Sequence, residues 1–240
     1  MNWIKADWPV PATVHAGTTT REGGVSEAPY DSLNLSTAVL DDEEAVAQNR
    51  AILKEELRLP SEPFWLNQSH STRVVDLSSG NKDADAAYTN QPSRVCVAMT
   101  ADCLPVLLCS QDGKEVAAVH AGWRGLADGV IEQAVKQFRA PSEQLFAWLG
   151  PAIGPSAFEV DHQVRDIFLA HDDNAQDAFT KMDDDKWLAD LYFLAKRRLD
   201  QLGVDGVFGG DYCTYSEEAS FFSYRRENIT GRMASLIWFD

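Results

Sequence analysis

The chain has 240 residues, and its 45% hydrophobic content is enough for one folded domain with a sizeable core, which argues against global disorder. It carries 37 acidic and 21 basic residues, a formal net charge of −16, so nucleic acid and anionic membranes are disfavoured as main partners because phosphate groups require basic surfaces. No apolar run approaches the roughly 20 residues that span a bilayer, and the first residues lack the basic and apolar regions of a signal peptide, so we expect a cytoplasmic protein.

The N-terminal part of the chain predicts a long loop followed by a helix. Residues 17–36 are rich in Gly, Ser, Thr, Pro, Asp and Asn, and they predict an extended loop. Loops of about 20 residues are uncommon in compact domains and are often functional. Asp41 or Asp42 can cap a helix that runs to about Leu57. The next two apolar runs predict short strands at Phe64–Leu66 and Val74–Leu77.

The centre of the chain predicts strands joined by a tight turn. Three apolar, β-prone runs predict strands at Arg94–Met99, Pro105–Cys109 and Glu115–His120. Asp112 and Gly113 form the expected centre of a hairpin turn between the last two of these strands. A helix is predicted from about Leu126 to Arg139, because apolar residues recur on one face.

The C-terminal part predicts further strands and helices in alternation. A strand is predicted at Leu145–Leu149, and helices are predicted near 161–170 and over Trp187–Leu202. Late strands are predicted at Val204–Phe208, Ser220–Tyr224 and Met233–Phe239. This mixture with a hairpin favours an α/β or α+β fold with a mixed sheet over a doubly wound parallel sheet, although spacing alone does not give the topology.

Three polar segments each place one metal-ligating residue beside a predicted strand: His70, Cys103 and His120. Two histidines and a cysteine can hold zinc and leave its fourth position for water or substrate, the pattern of a catalytic site. These ligands are far apart in the chain, so no local spacing rule supports the site. From the residues alone, a buried thiol near two hydrogen-bonded histidines is the more common arrangement. The chain has five histidines and four cysteines with no C-x-x-C pair, and we expect reduced thiols.

Polar residues near these segments are candidates for chemistry. Asp102, next to the cysteine, can orient a histidine or take a proton, although capping a turn is equally common for such an Asp. Trp123 can stack on a base, and Arg124 can bind phosphate at two points. Arg21, which precedes two glycines, and Arg225 are further anion-binding candidates. A core tryptophan and solvated arginines are the ordinary alternatives.

A second pattern spreads over nearly the whole chain as nine short segments. They are TTREGGVS (19–26), YDSLNL (30–35), WLNQSH (65–70), DADAAYTN (83–90), VAMTADCLPVLL (97–108), EVAAVHAGWRG (115–125), AWLGPAIGPSAFEV (147–160), FGGDYCTY (208–215) and FFSYRR (221–226). Together, and in this order, they resemble the YfiH family, which is also called the laccase-domain or polyphenol-oxidase-like family. TADCLPV and HAGWRG are the most specific of these motifs.

The resemblance implies an α/β fold, a single-domain α-β-β-α sandwich with mixed sheets over residues 1–240. It implies one metal ion, most often zinc, on His70, Cys103 and His120. It also implies a purine nucleoside phosphorylase that acts on adenosine, inosine and S-methyl-5′-thioadenosine, with adenosine deaminase side activity. One departure is visible: Gln68-Ser69-His70-Ser71 stands where the family usually has Q-V-H-G, so loop shape and pocket polarity are expected to differ.

We assign roles to the residues of these motifs on this basis. The expected partners are a small-molecule nucleoside and phosphate, and the oligomeric state is not given by the sequence. The predicted catalytic residues are Asp102, Cys103 and His120. The predicted substrate-binding residues are Arg21, Asn34, Gln68, Trp123, Arg124 and Arg225.

Three other functions stay open at this point. Cys103 with His120 and a carboxylate is also the layout of a cysteine-type hydrolase, and a role in editing peptidoglycan precursors has been proposed for the family. A copper-dependent polyphenol oxidase is the second: five histidines are too few for a multicopper set, but a single Cu²⁺ can replace Zn²⁺ at such a site. A non-catalytic metal- or metabolite-binding module is the third, and it is disfavoured because structural zinc sites are normally closed by four ligands.

Overall fold

Two β-sheets pack face to face in the middle of the protein, with helices on both outer sides. The structure, a computed structural model, describes residues 1–183 and 185–240. The strands in these residues are β1 (Trp3–Lys5), β2 (Val14–Thr19), β3 (Val74–Asp76), β4 (Ala86–Thr89), β5 (Cys96–Thr100), β6 (Leu104–Ser110), β7 (Val116–Ala121), β8 (Leu145–Leu149), β9 (Glu159–Asp161), β10 (Phe179–Lys181), β11 (Lys186–Ala189), β12 (Gly206–Gly209) and β13 (Met233–Phe239). The α-helices are α1 (Glu43–Glu56), α2 (Trp123–Asp128), α3 (Val130–Val135), α4 (His162–Leu169), α5 (Leu191–Gln201) and α6 (Tyr224–Glu227). Within the described ranges, no helix combines the length and the apolar character needed to cross a membrane.

The two central sheets differ in strand direction. The four-stranded sheet has the order β1-β2-β13-β5 and is antiparallel throughout. The six-stranded sheet has the order β12-β8-β6-β7-β4-β3; its outer pairs β12–β8 and β3–β4 are parallel and its inner pairs are antiparallel. A small antiparallel sheet has the order β10-β11-β9. The predicted mixed sheet is therefore confirmed.

Three apolar clusters hold four layers together. One joins α1 to the outer face of the four-stranded sheet and contains Leu53 and Leu236. The second fills the space between the two sheets and contains Ile237 from β13 and Leu107 from β6. The third joins the far face of the six-stranded sheet to the helices after β7 and contains Ile131 from α3. This order of layers is the α-β-β-α sandwich, so the fold class is confirmed.

Several predicted elements are also confirmed. The side chain of Asp42 accepts the N–H of Ala45 at 2.8 Å, so Asp42 rather than Asp41 is the cap of α1. The bounds of β8 and β13 are those predicted. The hairpin turn joins β6 to β7, and Gly113 in it has φ +72°, a left-handed conformation that glycine adopts easily.

Two helix predictions are wrong because local residues interrupt the apolar period. The helix predicted over Leu126–Arg139 is instead the pair α2 and α3, since Gly129 between them has φ +96° and breaks the helical path. The helix predicted over Trp187–Leu202 begins only at Leu191. The residues before it, Lys186–Ala189, form β11, where they pair with β9 and β10.

Three predictions around loops are corrected as well. The predicted loop 17–36 is shorter than expected, because its first residues belong to β2 and pair with β1 and β13. Phe64–Leu66 forms no strand and contributes only an isolated bridge to Cys96. Ser220–Tyr224 is not a strand, because the side chain of Ser223 caps α6 there.

Candidate metal centre

The β6–β7 hairpin brings together two of the three predicted ligands. In its antiparallel register Pro105 pairs with His120, and Leu104 pairs with Ala121. Cys103, one residue before β6, therefore lies at the same end of the hairpin as His120. The strand register, rather than the distance along the chain, decides this proximity.

His70 completes the group from the loop before β3. Its Nε2 lies 3.6 Å from Sγ of Cys103. The ligand atoms of His70, Cys103 and His120 all lie within 4.8 Å of one another. His120 is buried, Cys103 is half-buried and His70 is exposed, so the group opens to solvent on one side. The structure thus brings the three distant residues together.

The donor set fits a zinc ion. Two imidazole nitrogens and a thiolate are ligands that zinc accepts, and three protein ligands leave one position open. The backbone at Gly122 packs directly against two of the ligands. A Cβ at this position would lie 2.6 Å from Cδ2 of His70 and 3.0 Å from Sγ of Cys103, so only glycine fits without a shift. In the part of the chain that the structure describes, no second group of three such side chains comes as close together.

A buried carboxylate that the sequence analysis did not single out, Asp85, holds the group in place. It lies just before β4, and its Oδ1 is 2.8 Å from Nδ1 of His120. It also accepts the backbone N–H groups of Ser69, His70 and Ser71. An N–H at Nδ1 leaves Nε2 of His120 free for a metal, an arrangement common among metal-ligating histidines. An Asp before a strand is common in ordinary turns, so its position does not indicate a role in the site. The sequence marks Asp85 only as part of the segment DADAAYTN (83–90).

The charges of this group are coupled. Burial raises the pKa of the Cys103 thiol, but His120 and His70 outweigh it, and the pKa lies below its usual value. Burial lowers the pKa of His120, but Cys103 and Asp85 outweigh it, and the pKa is raised. Burial also raises the pKa of Asp85, but hydrogen bonds from His120 and Ser71 bring it well below its usual range. Without a metal, the centre is therefore a thiolate beside an imidazolium that is paired with a carboxylate.

Asp102 has other partners than the histidines. Its backbone has φ +87°, its Oδ1 accepts the hydroxyl of Thr214 at 2.6 Å, and its Oδ2 accepts the backbone N–H of Arg225 at 2.7 Å. The carboxylate that orients a histidine is Asp85, so this part of the prediction for Asp102 is corrected. With a donor on each oxygen, Asp102 is arranged as an acceptor that fixes the start of α6.

Two of the predicted anion-binding arginines, Arg21 and Arg225, differ in how far their charge is already paired within the protein. The guanidinium of Arg21 lies 3.2 Å from a carboxylate oxygen of Glu227 and 3.6 Å from one of Asp31, at a cavity of about 470 Å³. Its charge is therefore already compensated. Arg225 donates from Nη1 to the carbonyl of Glu159 at 2.9 Å and forms no ion pair among the described residues.

Trp123 and Arg124 lie beside the metal centre. Trp123 begins α2 directly after Gly122, the residue packed against the ligands. The guanidinium of Arg124 lies over the Trp123 ring, 4.3 Å from its centroid, and the Arg124 side chain is exposed. Their contacts with a base and with phosphate stay predictions, and the half-buried Trp123 also packs against the core cluster of the six-stranded sheet.

The two predicted amides, Asn34 and Gln68, bind backbone and side chains of the protein itself. Asn34 is fully buried; its amide donates to Asp41 at 2.8 Å and accepts the backbone N–H of Arg232 at 3.0 Å. Gln68 donates to the carbonyl of Met99 and accepts its N–H, both at 2.8 Å. These contacts give both residues a role in positioning loops, and their predicted contact with substrate stays a prediction.

Arg232 is a second residue that the sequence analysis passed over. It lies immediately before β13; burial lowers the pKa of its guanidinium, and Cys103 and Asp102 act on that pKa in the opposite direction. It lies outside the nine motif segments and has no local signal, since only the pairing of β13 with β5 brings it to this end of the sheet.

Comparisons with known proteins identify the family of this chain. A family described as multi-copper polyphenol oxidoreductase laccase matches residues 15–240. The chain belongs to this laccase-domain family. It is 53% identical over 244 residues to a Haemophilus influenzae protein named purine nucleoside phosphorylase, with 100% of both chains covered. It is 53% identical to an Escherichia coli K12 protein named purine nucleoside phosphorylase YfiH, with 98% of each chain covered. The resemblance found in the sequence is therefore confirmed.

Solved structures of similar proteins have the same fold. A Neisseria meningitidis protein superposes with a TM-score of 0.96 at 49% identity, over 100% of both chains. A Bacillus licheniformis protein titled YfiH superposes with a TM-score of 0.90 at 29% identity, over 95% of this chain and 93% of that one. The family description refers to several copper ions, whereas this laccase-domain chain has five histidines, and its described residues offer one three-ligand group.

Proposed function

We propose that this chain is a zinc-dependent purine nucleoside phosphorylase that acts on adenosine, inosine and S-methyl-5′-thioadenosine, with adenosine deamination as a side activity. The observation that carries the proposal is the grouping of His70, Cys103 and His120 in a chain that is 53% identical over its whole length to a protein named purine nucleoside phosphorylase. Its partners are a nucleoside and phosphate, and its location is the cytoplasm. The net charge of −16 supports small molecules over nucleic acid or membranes.

His70, Cys103 and His120 are the residues that would hold zinc, and Asp85 would orient His120 toward it. When bound, zinc supplies Lewis-acid chemistry: it polarises a substrate nitrogen or oxygen and makes water more acidic. Copper would bind the same donors. Metal analysis of the purified protein decides between the two ions.

Phosphorolysis exchanges one bond at the ribose. A phosphate oxygen bonds to C1′, the C1′–N9 bond breaks, and its electron pair leaves with the base, which takes up a proton from the phosphate. The protein has to hold the phosphate and align it with C1′. Arg124 and Arg225 are available for phosphate, whereas Arg21 would have to give up its ion pairs with Glu227 and Asp31.

Other residues of the site prepare these contacts. Trp123 offers a ring on which a purine can stack. Asp102 fixes the backbone of Arg225 through a 2.7 Å hydrogen bond and thereby positions that arginine. Asn34 and Gln68 hold the loops around the centre.

The test is direct product analysis. Zinc-loaded protein incubated with inosine and phosphate is expected to yield hypoxanthine and ribose 1-phosphate, and adenosine in water is expected to yield inosine and ammonia more slowly. His120→Ala is expected to lose both activities. His171→Ala is the matched control, because His171 is exposed and lies outside the ligand group. Absence of product with and without zinc would remove the proposal.

One observation favours a second candidate, a cysteine-type hydrolase that edits peptidoglycan precursors. Asp85, His120 and Cys103 form a line of carboxylate, imidazole and thiol, the layout of a base-activated nucleophile. In that case Cys103 reacts without a metal. Iodoacetamide separates the two candidates: a ligand thiol is protected until a chelator is added, whereas a free nucleophile is labelled at once.

A further inference from the structure

The guanidinium of Arg232 is anchored by hydrogen bonds to the backbone that precedes it. Its Nη1 donates to the carbonyls of Thr230 at 2.8 Å and Gly231 at 2.9 Å. Its backbone N–H donates to Oδ1 of the fully buried Asn34 at 3.0 Å. The guanidinium also lies 6.0 Å from the ring centroid of Tyr224. Backbone and side chain are therefore both fixed before any ligand arrives.

The other edge of the Arg232 guanidinium has no partner. Among the described residues, Nε and Nη2 form no hydrogen bond and no carboxylate lies within 4.0 Å of the group, whereas Arg21 has two ion pairs. The carboxylate of Asp102 acts on Arg232, but its oxygens already accept Thr214 and Arg225. Nε and Nη2 of Arg232 are not among the buried polar atoms that lack a hydrogen-bond partner, so both can be reached by solvent or by a ligand.

A partly buried guanidinium without an ion pair lowers the stability of the fold, and a bound anion would remove this penalty. Burial lowers the pKa of Arg232, and the negative charges of Cys103 and Asp102 offset that effect only in part. The side chain is half-buried, and a cation that loses part of its hydration without gaining an ion pair is destabilising. A guanidinium with one edge anchored and the other edge open has the geometry for two-point binding of an oxyanion.

Strand pairing places Arg232 at the same end of the sheet as Cys103, whose charge acts on the guanidinium. Met233, the next residue, pairs with Thr100 of β5, and the chain then runs through Asp102 to Cys103. An oxyanion bound at Arg232 would therefore lie close to the metal ligands without displacing an existing ion pair. Arg21 is less suited, because its guanidinium already pairs with Glu227 and Asp31.

We propose that Arg232 is the main binding residue for the anionic co-substrate, inorganic phosphate. The inference rests on the proposed phosphorylase function and names the residue that recognises its second substrate. Asn34 is then a positioning residue, since its amide fixes the backbone from which Arg232 projects.

The experiment measures phosphate binding apart from turnover. Inorganic phosphate is titrated calorimetrically into the zinc-loaded wild type, Arg232→Gln, Arg232→Lys and Arg139→Gln. Arg139 is the matched control, because its side chain is exposed and its charge loss is the same. We expect Arg232→Gln to weaken phosphate binding by at least about tenfold, Arg232→Lys to recover part of it, and Arg139→Gln to bind like the wild type. Thermal unfolding of each variant identifies a folding defect, and the lysine variant, which keeps the charge, serves if the glutamine variant does not fold.

Steady-state kinetics with inosine add a second readout. In Arg232→Gln we expect the KM for phosphate to rise by about tenfold or more while the KM for inosine stays within about twofold. Phosphate affinity and phosphate KM unchanged in folded Arg232→Gln would overturn the inference, as would a rise in the inosine KM alone. If phosphate binds through Arg232 but no nucleoside is cleaved, the anion site stands and the phosphorylase proposal fails.

Discussion

Asp85 and His120 are joined by a buried hydrogen bond of 2.8 Å between Oδ1 and Nδ1. The same carboxylate accepts the backbone N–H of His70 at 2.9 Å and that of Ser71 at 2.6 Å. One side chain thus sets the ring orientation of one candidate ligand and the loop position of another. Because these contacts share one group, the ligand geometry is preorganised before a metal binds.

Asp85→Asn tests this arrangement. The substitution keeps the size of the side chain but replaces one acceptor oxygen by an amide, so the orientation of His120 and of the His70 loop is weakened. We expect zinc affinity to fall by about 10- to 100-fold, measured by competition with a chromophoric chelator. Asp83→Asn is the control, because Asp83 is exposed and its Oδ1 accepts the side chain of Asn67. Wild-type affinity in Asp85→Asn would contradict the role given to Asp85.

Gly122→Ala tests the fit of the backbone to the ligands. Gly122 has φ −61°, so alanine is compatible with the backbone, and the effect is purely steric. The new Cβ would lie 2.6 Å from Cδ2 of His70 and 3.0 Å from Sγ of Cys103. We expect zinc affinity to fall by about tenfold or more with an unchanged circular dichroism spectrum. Gly125→Ala, whose Cβ would meet the carbonyl of Ser71 at 3.2 Å, is the control. Equal zinc affinities in the two variants would show that the packing at Gly122 does not matter.

Zinc binding is expected to strengthen as the pH rises. Burial lowers the pKa of His120, but Cys103 and Asp85 outweigh it, and the raised pKa keeps the ring protonated at neutral pH in the absence of metal. A metal has to displace this proton, so affinity should rise by about tenfold per pH unit until the pH passes the raised pKa. Calorimetry in buffers of different ionisation enthalpy counts the protons released. Zinc uptake without proton release at neutral pH would argue against the thiolate–imidazolium pair.

Glu115→Gln is expected to destabilise the fold without affecting the metal centre. The buried carboxylate of Glu115 accepts the hydroxyl of Tyr88 and the backbone N–H groups of Arg139 and Ala140, the latter two at 3.0 Å. Glutamine turns one acceptor into a donor, so we expect a loss of about 1–3 kcal/mol in the free energy of unfolding, measured with urea. Glu143→Gln, at an exposed position, is the control. A loss equal to that of the control would show that these hydrogen bonds contribute little.

The fold class was predictable from the sequence, but the packing of its layers was not. Nearly continuous apolar runs marked β8 and β13, and Asp41 or Asp42 marked the start of α1, where the structure selects Asp42. The apolar period gave a wrong prediction at Lys186–Ala189. These residues continue the helical pattern of α5, but they pair with β9 and β10 and form a strand. Hydrogen bonds to a neighbouring strand override a local preference of a few tenths of a kcal/mol.

The residue types that the site can use follow from the sequence alone: two imidazoles and one thiol in specific motifs, in a chain with five histidines and a net charge of −16. Which of these residues come together depends on the fold. It brought His70 to Cys103 and His120, gave Asp85 the place expected for Asp102, and brought Arg232 to the centre. Pairing between strands that are distant in sequence sets these contacts, and the residues next to each partner along the chain do not indicate which strands will pair.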